Sequence, residues 1–286
     1  MELAVIISIA LILLTILYLK NRRKVFLQGG DTWQQVSLTE KRQISQDSFI
    51  FTFALPDPNL PLGLPLGSHI VFRANIPTAK QPSGELITRK YTPTSPFNEK
   101  GKIELPIKVY YKNIHPQFPE GGLMTQYLDN LKIGDKLDIS GPKGRLEYKG
   151  KGKFLLENET FTVKNIGLVA GGTGITPCFQ LIQYIIEQEQ GCVGLYLIYA
   201  NKTEQDILLR EKLDAYEKTG LLKVFYTLDL PPSQWKYGTG FVSEDMLKKH
   251  MPPVTECLIS HCGPPGMNAS VAKCVKTLGY TRSFKF

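Results

Sequence analysis

The 286-residue chain is poor in the side chains that build metal centres and covalent cross-links. Its four histidines, His69, His115, His250 and His261, stand in no ligand spacing. Its five cysteines, Cys178, Cys192, Cys257, Cys262 and Cys274, are an odd number with no Cys-x-x-Cys pair and no histidine at a zinc-ligand distance in sequence. That argues against a structural metal site or a disulfide framework, and scattered thiols suit a reducing compartment. Internal repeats and low-complexity segments are also missing, because the 25 glycines and 19 prolines are spread along the chain and punctuate turns. Beyond Lys20–Lys24 there is no dense basic run interleaved with aromatics, so a nucleic-acid partner is not expected.

What remains is globular composition, 42% hydrophobic and 21% charged, enough for one large domain or two ordinary ones. Net charge is +8, of which residues 1–24 carry +3 and the rest only +5. One long apolar run exists: Leu3–Leu19, seventeen residues without a charge, which would span roughly 25 Å as a helix. A cleaved signal peptide should carry its positive charge before such a run, whereas here Glu2 precedes it and Lys20–Lys24 follow. The expectation is therefore a transmembrane anchor over 1–24 in preference to a signal peptide or a core helix. The positive flank places the rest of the chain in the cytosol. Glu2 rules out N-myristoylation, which needs glycine there.

From Gln34 to about Tyr148, short β-branched and aromatic runs are broken by proline and glycine: Ser48–Leu55, Ser68–Asn75, Ile103–Tyr111 and Asp135–Gly141. This predicts a small antiparallel barrel over 31–148, interrupted by one helix at Leu123–Leu131. A Lys/Gly-rich connection follows at 149–163. Over 164–286 strands alternate with helices: strands at Asn165–Gly171, Gly194–Asn201, Leu222–Asp229 and Glu256–Gly263, helices at Cys178–Gln188, Leu208–Lys218, Ser243–His250 and Met267–Gly279. That rhythm predicts an open parallel sheet.

Three motifs carry chemistry. Gly171-Gly172-Thr173-Gly174-Ile175-Thr176-Pro177 stands where a strand ends and a helix begins, so its amides can approach an anion closely. It has neither the GxGxxG spacing nor a following Gly-Lys-Ser/Thr, and alone it is an ordinary tight turn. Cys262-Gly263-Pro264-Pro265-Gly266-Met267 ends the last predicted strand, on the same rim of the sheet, together with Ala200-Asn201 and Thr227–Asp229. In the barrel, Arg89-Lys90-Tyr91-Thr92-Pro93-Thr94-Ser95 combines a guanidinium, a ring and hydroxyls, which suits a diphosphate and a flat heterocycle but also suits a polar edge strand.

Together, RxYTxxS in a barrel followed by GGTGITP and CGPPxM in an α/β domain resemble the ferredoxin-reductase-like flavoenzymes, and most of all the NADH-cytochrome b5 reductase family. IKVYYKNIHPQFPEGGLMTQYL, IGDKLDISGPKG, ANKTEQDILLREKL, YGTGFV and the closing aromatic residue extend the resemblance along nearly the whole chain after residue 24. It implies FAD on the barrel, with Arg89 on the pyrophosphate, Tyr91 against the flavin and ribitol, and Thr92 near the hydride-accepting nitrogen. Pro106, Ile107, Lys108, Val109 and Tyr111 would add backbone and ring contacts, and Gly122, Leu123, Met124 and Thr125 would open the helix that holds the flavin phosphates. Many members have proline where Lys90 stands and serine where Thr125 stands. Lys90 is expected to make backbone contacts, and Thr125 keeps the hydroxyl.

For NADH the resemblance implies a crevice formed by Gly171, Gly172, Thr173, Gly174, Thr176 and Pro177. Lys108 would stand close to the nicotinamide, Cys262 beside the site of hydride transfer as a positioning residue, and Gly263, Pro264 and Met267 around the pocket. Asp229 would lie near the adenosine ribose. No Arg/Ser pair follows Asn201, and Lys202–Asp206 includes two acids, so NADH is expected over NADPH. His69 reads as a structural residue, His115 has no catalytic role, and Trp33 and Trp235 read as packing residues. The resemblance further implies a monomer that passes single electrons to cytochrome b5, from the endoplasmic reticulum or mitochondrial outer membrane. Two alternatives stand beside it: a reductase for another haem or desaturase-chain acceptor, and a non-enzymatic membrane-anchored adaptor.

Overall fold

The computed structural model describes residues 24–286 apart from 79, 115 and 117. Leu3–Leu19 and His115 lie outside the described residues. Among the described residues no helix is long and apolar enough to cross a membrane.

The N-terminal half is a six-stranded antiparallel sheet curled around its own apolar face. Its strands are β1 (Trp33–Gln43), β2 (Ser48–Ala54), β3 (His69–Ile76), β4 (Glu85–Tyr91), β5 (Lys102–Lys108) and β6 (Lys136–Lys143), in the order β4-β3-β6-β1-β2-β5. Alternation dictates the inward set: Phe51 and Phe53 on β2, Ile70 and Phe72 on β3, Ile103 and Leu105 on β5, Leu137 and Ile139 on β6 are all buried. The sheet stops short of closing between β4 and β5. There the segment after β4 crosses the gap, where the Thr94 amide donates to Glu104 O at 2.9 Å. Helix α1 (Leu123–Asn130) covers one end of the core with Met124 and Leu128.

Strands β1 and β4 are not legible as apolar runs, since β1 buries only Val36 and Leu38 and β4 only Ile87. The stretch 149–163, read from its lysines and glycines as a connection, is instead a sheet. β7 (Leu146–Gly150), β8 (Lys153–Leu156) and β9 (Glu159–Thr162) form an antiparallel meander. Tyr148, Phe154 and Phe161 hold it, with ring centroids 4.9 and 5.7 Å apart, and they join the core of the C-terminal half. Gly152 makes the β7–β8 turn possible: its φ is +74°, and a Cβ there would lie 2.1 Å from Val163 O.

The C-terminal half is an all-parallel sheet of β10 (Asn165–Gly171), β11 (Gly194–Asn201), β12 (Leu222–Leu228), β13 (Gly238–Thr239), β14 (Cys257–Cys262) and β15 (Ser283–Lys285). Helices α2 (Ile175–Glu189), α3 (Arg210–Lys218), α4 (Glu244–His250) and α5 (Pro265–Thr277) cover it. The order β13-β12-β11-β10-β14-β15 means that the chain steps away from β10 in one direction and then returns to its other side. Such a reversal opens a crevice at the carboxyl ends of the two central strands. β15 was not foreseen. Three residues are too few for a periodic signal, and it is set by its pairing with β14.

Candidate active site in the interdomain cleft

Parallel pairing puts Ala170 opposite Cys262, so the turns leaving β10 and β14 run side by side at the reversal point. Their closeness requires glycine: a Cβ on Gly174 would stand 2.1 Å from Cys262 O. Gly172 has φ +53° with open space around it, so that part of the turn presents bare backbone. Met267 does not line the cleft. It packs beneath both turns, its Sδ 2.6 Å from where a Gly171 Cβ would be.

Facing these turns is the unclosed edge of the barrel, and between them lies a cavity of about 1170 Å³. The barrel contributes Lys90, Tyr91, Thr92, Pro106, Ile107, Lys108 and Thr125 to its walls. The α/β half contributes Gly171, Gly172, Thr173, Gly174, Thr176, Pro177, Cys262, Gly263 and Pro264. Tyr91 is oriented by the core, its ring 5.3 Å from Phe72, and burial holds its phenol neutral by raising its pKa. Thr92 is buried beside it. Thr125 Oγ1 donates to Gly122 O at 3.0 Å and accepts from Tyr110 N at 3.2 Å.

Other sequence-predicted residues stand off the cleft walls. Arg89 is exposed, with a guanidinium nitrogen donating to Thr88 O at 2.7 Å. Val109 is buried behind the wall, and Tyr111 turns outward to donate to Asp129 Oδ2 at 3.2 Å. Gly122 and Leu123 flank the start of α1, and Met124 sits in the barrel core. Asp229 is exposed at the end of β12, its amide donating to Asn201 O at 3.1 Å.

The structure also brings in residues that sequence reasoning missed. His69 and Val71 line the cleft because β3 alternates, with Ile70 and Phe72 inward and the residues between them outward. Lys143, Gly144 and Arg145 arrive through the pairing of β3 with β6, and Phe284, Lys285 and Phe286 through that of β15 with β14. Burial, with Lys90 and Lys143 nearby, pulls the His69 pKa down to about 4, so its ring is neutral at physiological pH. Burial pushes the Cys262 thiol up to about 11 against the opposing pull of Lys285, so it stays protonated and is no nucleophile.

The electrostatics select an anionic ligand. Lys90, Lys108, Lys143, Arg145 and Lys285 all line the cleft, and among the described residues no Asp or Glu joins them there, Lys108 being paired with Asp47 and Asp206 behind the wall. Three helices begin at its edge, α1 after Gly122, α2 after Gly174 and α5 after Pro264. None has a side-chain cap or an acid in its first turn. By contrast α4, outside the cleft, is capped by Ser243, whose Oγ accepts from Met246 N at 3.2 Å, and carries Glu244 and Asp245 in its first turn. Free amides and an uncompensated dipole are kept where phosphate would bind. A cavity of this volume, with uncapped helix starts on both walls, suits phosphate-bearing ligands.

Comparison with known proteins agrees. The oxidoreductase FAD-binding domain family matches residues 35–148 and the oxidoreductase NAD-binding domain family matches 168–273. The two halves therefore make a flavin- and nicotinamide-dependent oxidoreductase, with FAD and NADH as its cofactors. Over 259 residues the chain is 46% identical to NADH-cytochrome b5 reductase 2 of Xenopus laevis, covering 87% of this chain and 86% of the relative. To the protein of that name from Homo sapiens it is 41% identical over 277 residues, 93% of this chain and 98% of the relative. The solved cytochrome b5 reductase domain of Ulva prolifera nitrate reductase superposes with TM-score 0.86 at 34% identity, covering 92% of this chain and all of that domain. The chain belongs to the NADH-cytochrome b5 reductase family.

Proposed function

We propose that the protein is a membrane-anchored reductase that takes a hydride from NADH into FAD and delivers single electrons to cytochrome b5. The observation that carries this is the meeting of the Gly171–Gly174 and Cys262–Pro264 turns with Tyr91 and Thr92 across one cleft. Bound FAD would supply the conversion of a two-electron donor into one-electron steps.

The chain's own residues bind, orient and screen. Arg89 would leave Thr88 O to clamp the flavin diphosphate, and the first amides of α1, with Thr125, would hold phosphate oxygens. Tyr91 would pack against the ring system, and Thr92 would offer its hydroxyl to the flavin edge that takes the hydride. Backbone at Lys90, Pro106 and Ile107 would complete the flavin site, with Val109 buried behind it, and the ring of Tyr111 would reach it only by leaving Asp129. The Gly171–Pro177 turn would receive the nicotinamide and diphosphate of NADH, with Lys108 nearby, and Asp229, outside the cleft walls, would meet the adenosine ribose beyond them. Cys262 shapes the hydride path as a thiol. The basic cleft mouth suits an acidic haem protein, and co-anchoring through Leu3–Leu19 on the cytosolic face of the endoplasmic reticulum or mitochondrial outer membrane raises the encounter rate. The protein acts as a monomer.

An anaerobic absorbance titration tests this reading. Flavin bands that bleach with NADH far faster than with NADPH, followed by haem reduction on adding oxidised cytochrome b5, support it. Bleaching without haem reduction replaces the acceptor, and a chain that takes up no FAD overturns the enzyme reading. For the anchor, the full chain should stay with membranes after carbonate extraction, and a chain lacking residues 1–24 should not.

A further inference from the structure

Two interactions brace the cleft: the first joins its two walls, and the second lies within the α/β wall. The first is ionic. Lys108 Nζ, at the end of β5, lies 3.0 Å from Asp47 Oδ2 in the barrel and 2.8 Å from Asp206 Oδ1 in the α/β half. The other Asp206 oxygen accepts from Thr203 N at 3.0 Å and Thr203 Oγ1 at 2.7 Å, so the carboxylate is fixed to its own turn. Burial lowers the Lys108 pKa, but the hydrogen bonds to Asp206 and Asp47 outweigh that and leave it above the ordinary lysine value. Burial likewise raises that of Asp206, and the bonds from Lys108 and Thr203 bring it below the ordinary value.

The second interaction is a buried hydroxyl. Tyr199, fully buried on β11, donates to Gly172 O at 3.0 Å and accepts from Leu208 N at 3.3 Å. It thereby joins the glycine turn to the segment that begins at Asp206. Asn201, 7% exposed on the same strand, lies close enough for its amide to influence Tyr199, yet neither amide atom finds a partner in bonding geometry. The Tyr199 hydroxyl is already committed.

We propose that Asp206 and Tyr199 are positioning residues that hold Lys108 of the barrel and the Gly172–Gly174 turn in one frame, so that a nicotinamide on that turn meets the flavin at hydride-transfer distance. This rests on the reading of the cleft as the NADH and FAD site. Catalysis at such a junction is sensitive to small displacements, because misplacing reacting groups by about 1 Å can slow a reaction ~100-fold.

The test uses the FAD-loaded full chain and the variants Tyr199→Phe and Asp206→Asn. Without nucleotide, amide hydrogen exchange over 171–176 should quicken in both. The limiting rate of flavin reduction at saturating NADH should fall about fivefold or more, and Asp206→Glu should recover part of it. Oxidation of dithionite-reduced enzyme by cytochrome b5 should stay unchanged. An unchanged limiting rate, a change confined to NADH affinity, equal slowing of both half-reactions or unaltered exchange would each overturn the proposal. If NADH fails to reduce the unaltered protein, the functional reading falls, while the exchange measurement still decides the coupling.

Discussion

The two halves of the molecule reach the same cleft by opposite means. The barrel sends side chains from strand edges: His69, Lys90, Tyr91, Thr92 and Lys108. The α/β half sends mainly backbone, in the glycine turn after β10, the Gly263-Pro264 turn after β14 and the uncapped starts of α2 and α5, with Cys262, Phe284, Lys285 and Phe286 beside it. A barrel whose strands alternate can change its outward face without touching its core. Two turns packed backbone to backbone have no such freedom. Function on the barrel side is therefore separable from stability, and on the α/β side it is not.

The strongest test of that contrast is Gly174→Ala. Its Cβ would meet Cys262 O and C at 2.1 and 2.5 Å, and backbone cannot yield as a side-chain end does. About 3 kcal/mol of stability should be lost, at the upper end for overpacking, with a drop in Tm measured by calorimetry and near-complete loss of flavin reduction by NADH. On the barrel side, Arg89→Ala removes an exposed side chain that hydrogen-bonds Thr88 O in its own strand, so Tm of the flavin-free protein should move little. Loss of a charge-assisted bond to phosphate, about 1.5–3 kcal/mol, should weaken FAD about 10- to 100-fold in a fluorescence titration. Should Arg89→Ala unfold the protein, or Gly174→Ala leave it intact, the contrast between the halves fails.

The same contrast governed what could be read from the sequence. The buried parallel strands β10 and β11 are continuous apolar runs bounded by glycine and asparagine, and the expected Asn165–Gly171 and Gly194–Asn201 agree with the structure to the residue. β1 escapes notice, and β4 shows only as the polar edge strand that Arg89–Ser95 suits, because a strand with one wet face and only one or two buried residues carries almost no periodic signal. The β7–β9 meander was lost because its lysines face water while Tyr148, Phe154 and Phe161, spaced across two turns, make the core. At the site, both glycine motifs were legible because tight turns demand particular residues. Lys143, Lys285 and Phe286 were not, because they reach the cleft through pairings of distant strands, His69 with Lys143 and His261 with Lys285. His69 and Val71 are within reach, since the alternation of Ile70 and Phe72 already sets them facing outward.

Cys262 offers a smaller test. A thiol held up at about 11 cannot ionise in the working range, so the limiting rate of flavin reduction should show no inflection between pH 6 and 9 that Cys262→Ser removes. Cys262→Ser should lower that rate only a few-fold, through altered packing of the nicotinamide. An inflection lost in the variant would make Cys262 an ionising group and move chemistry onto the backbone-built wall.

The smallest effect belongs to His69. Burial and the neighbouring Lys90 and Lys143 hold its pKa near 4, below the ordinary value of 6.5. As pH falls through 6.5 the unfolded chain takes up this proton before the folded one does. Stability must therefore decline between about pH 6.5 and 4 on account of this ring, and be fully present above that window. His69→Gln keeps a polar group of similar reach and removes the titration, so its denaturation midpoint in urea should fall less steeply across that window than that of the unaltered protein. Because His69 stands on the outward face of β3, the two midpoints at pH 8 should nearly coincide. Parallel pH profiles would mean that the ring feels water more than it feels Lys90 and Lys143, and a large gap at pH 8 would mean that this barrel side chain carries stability as well as charge.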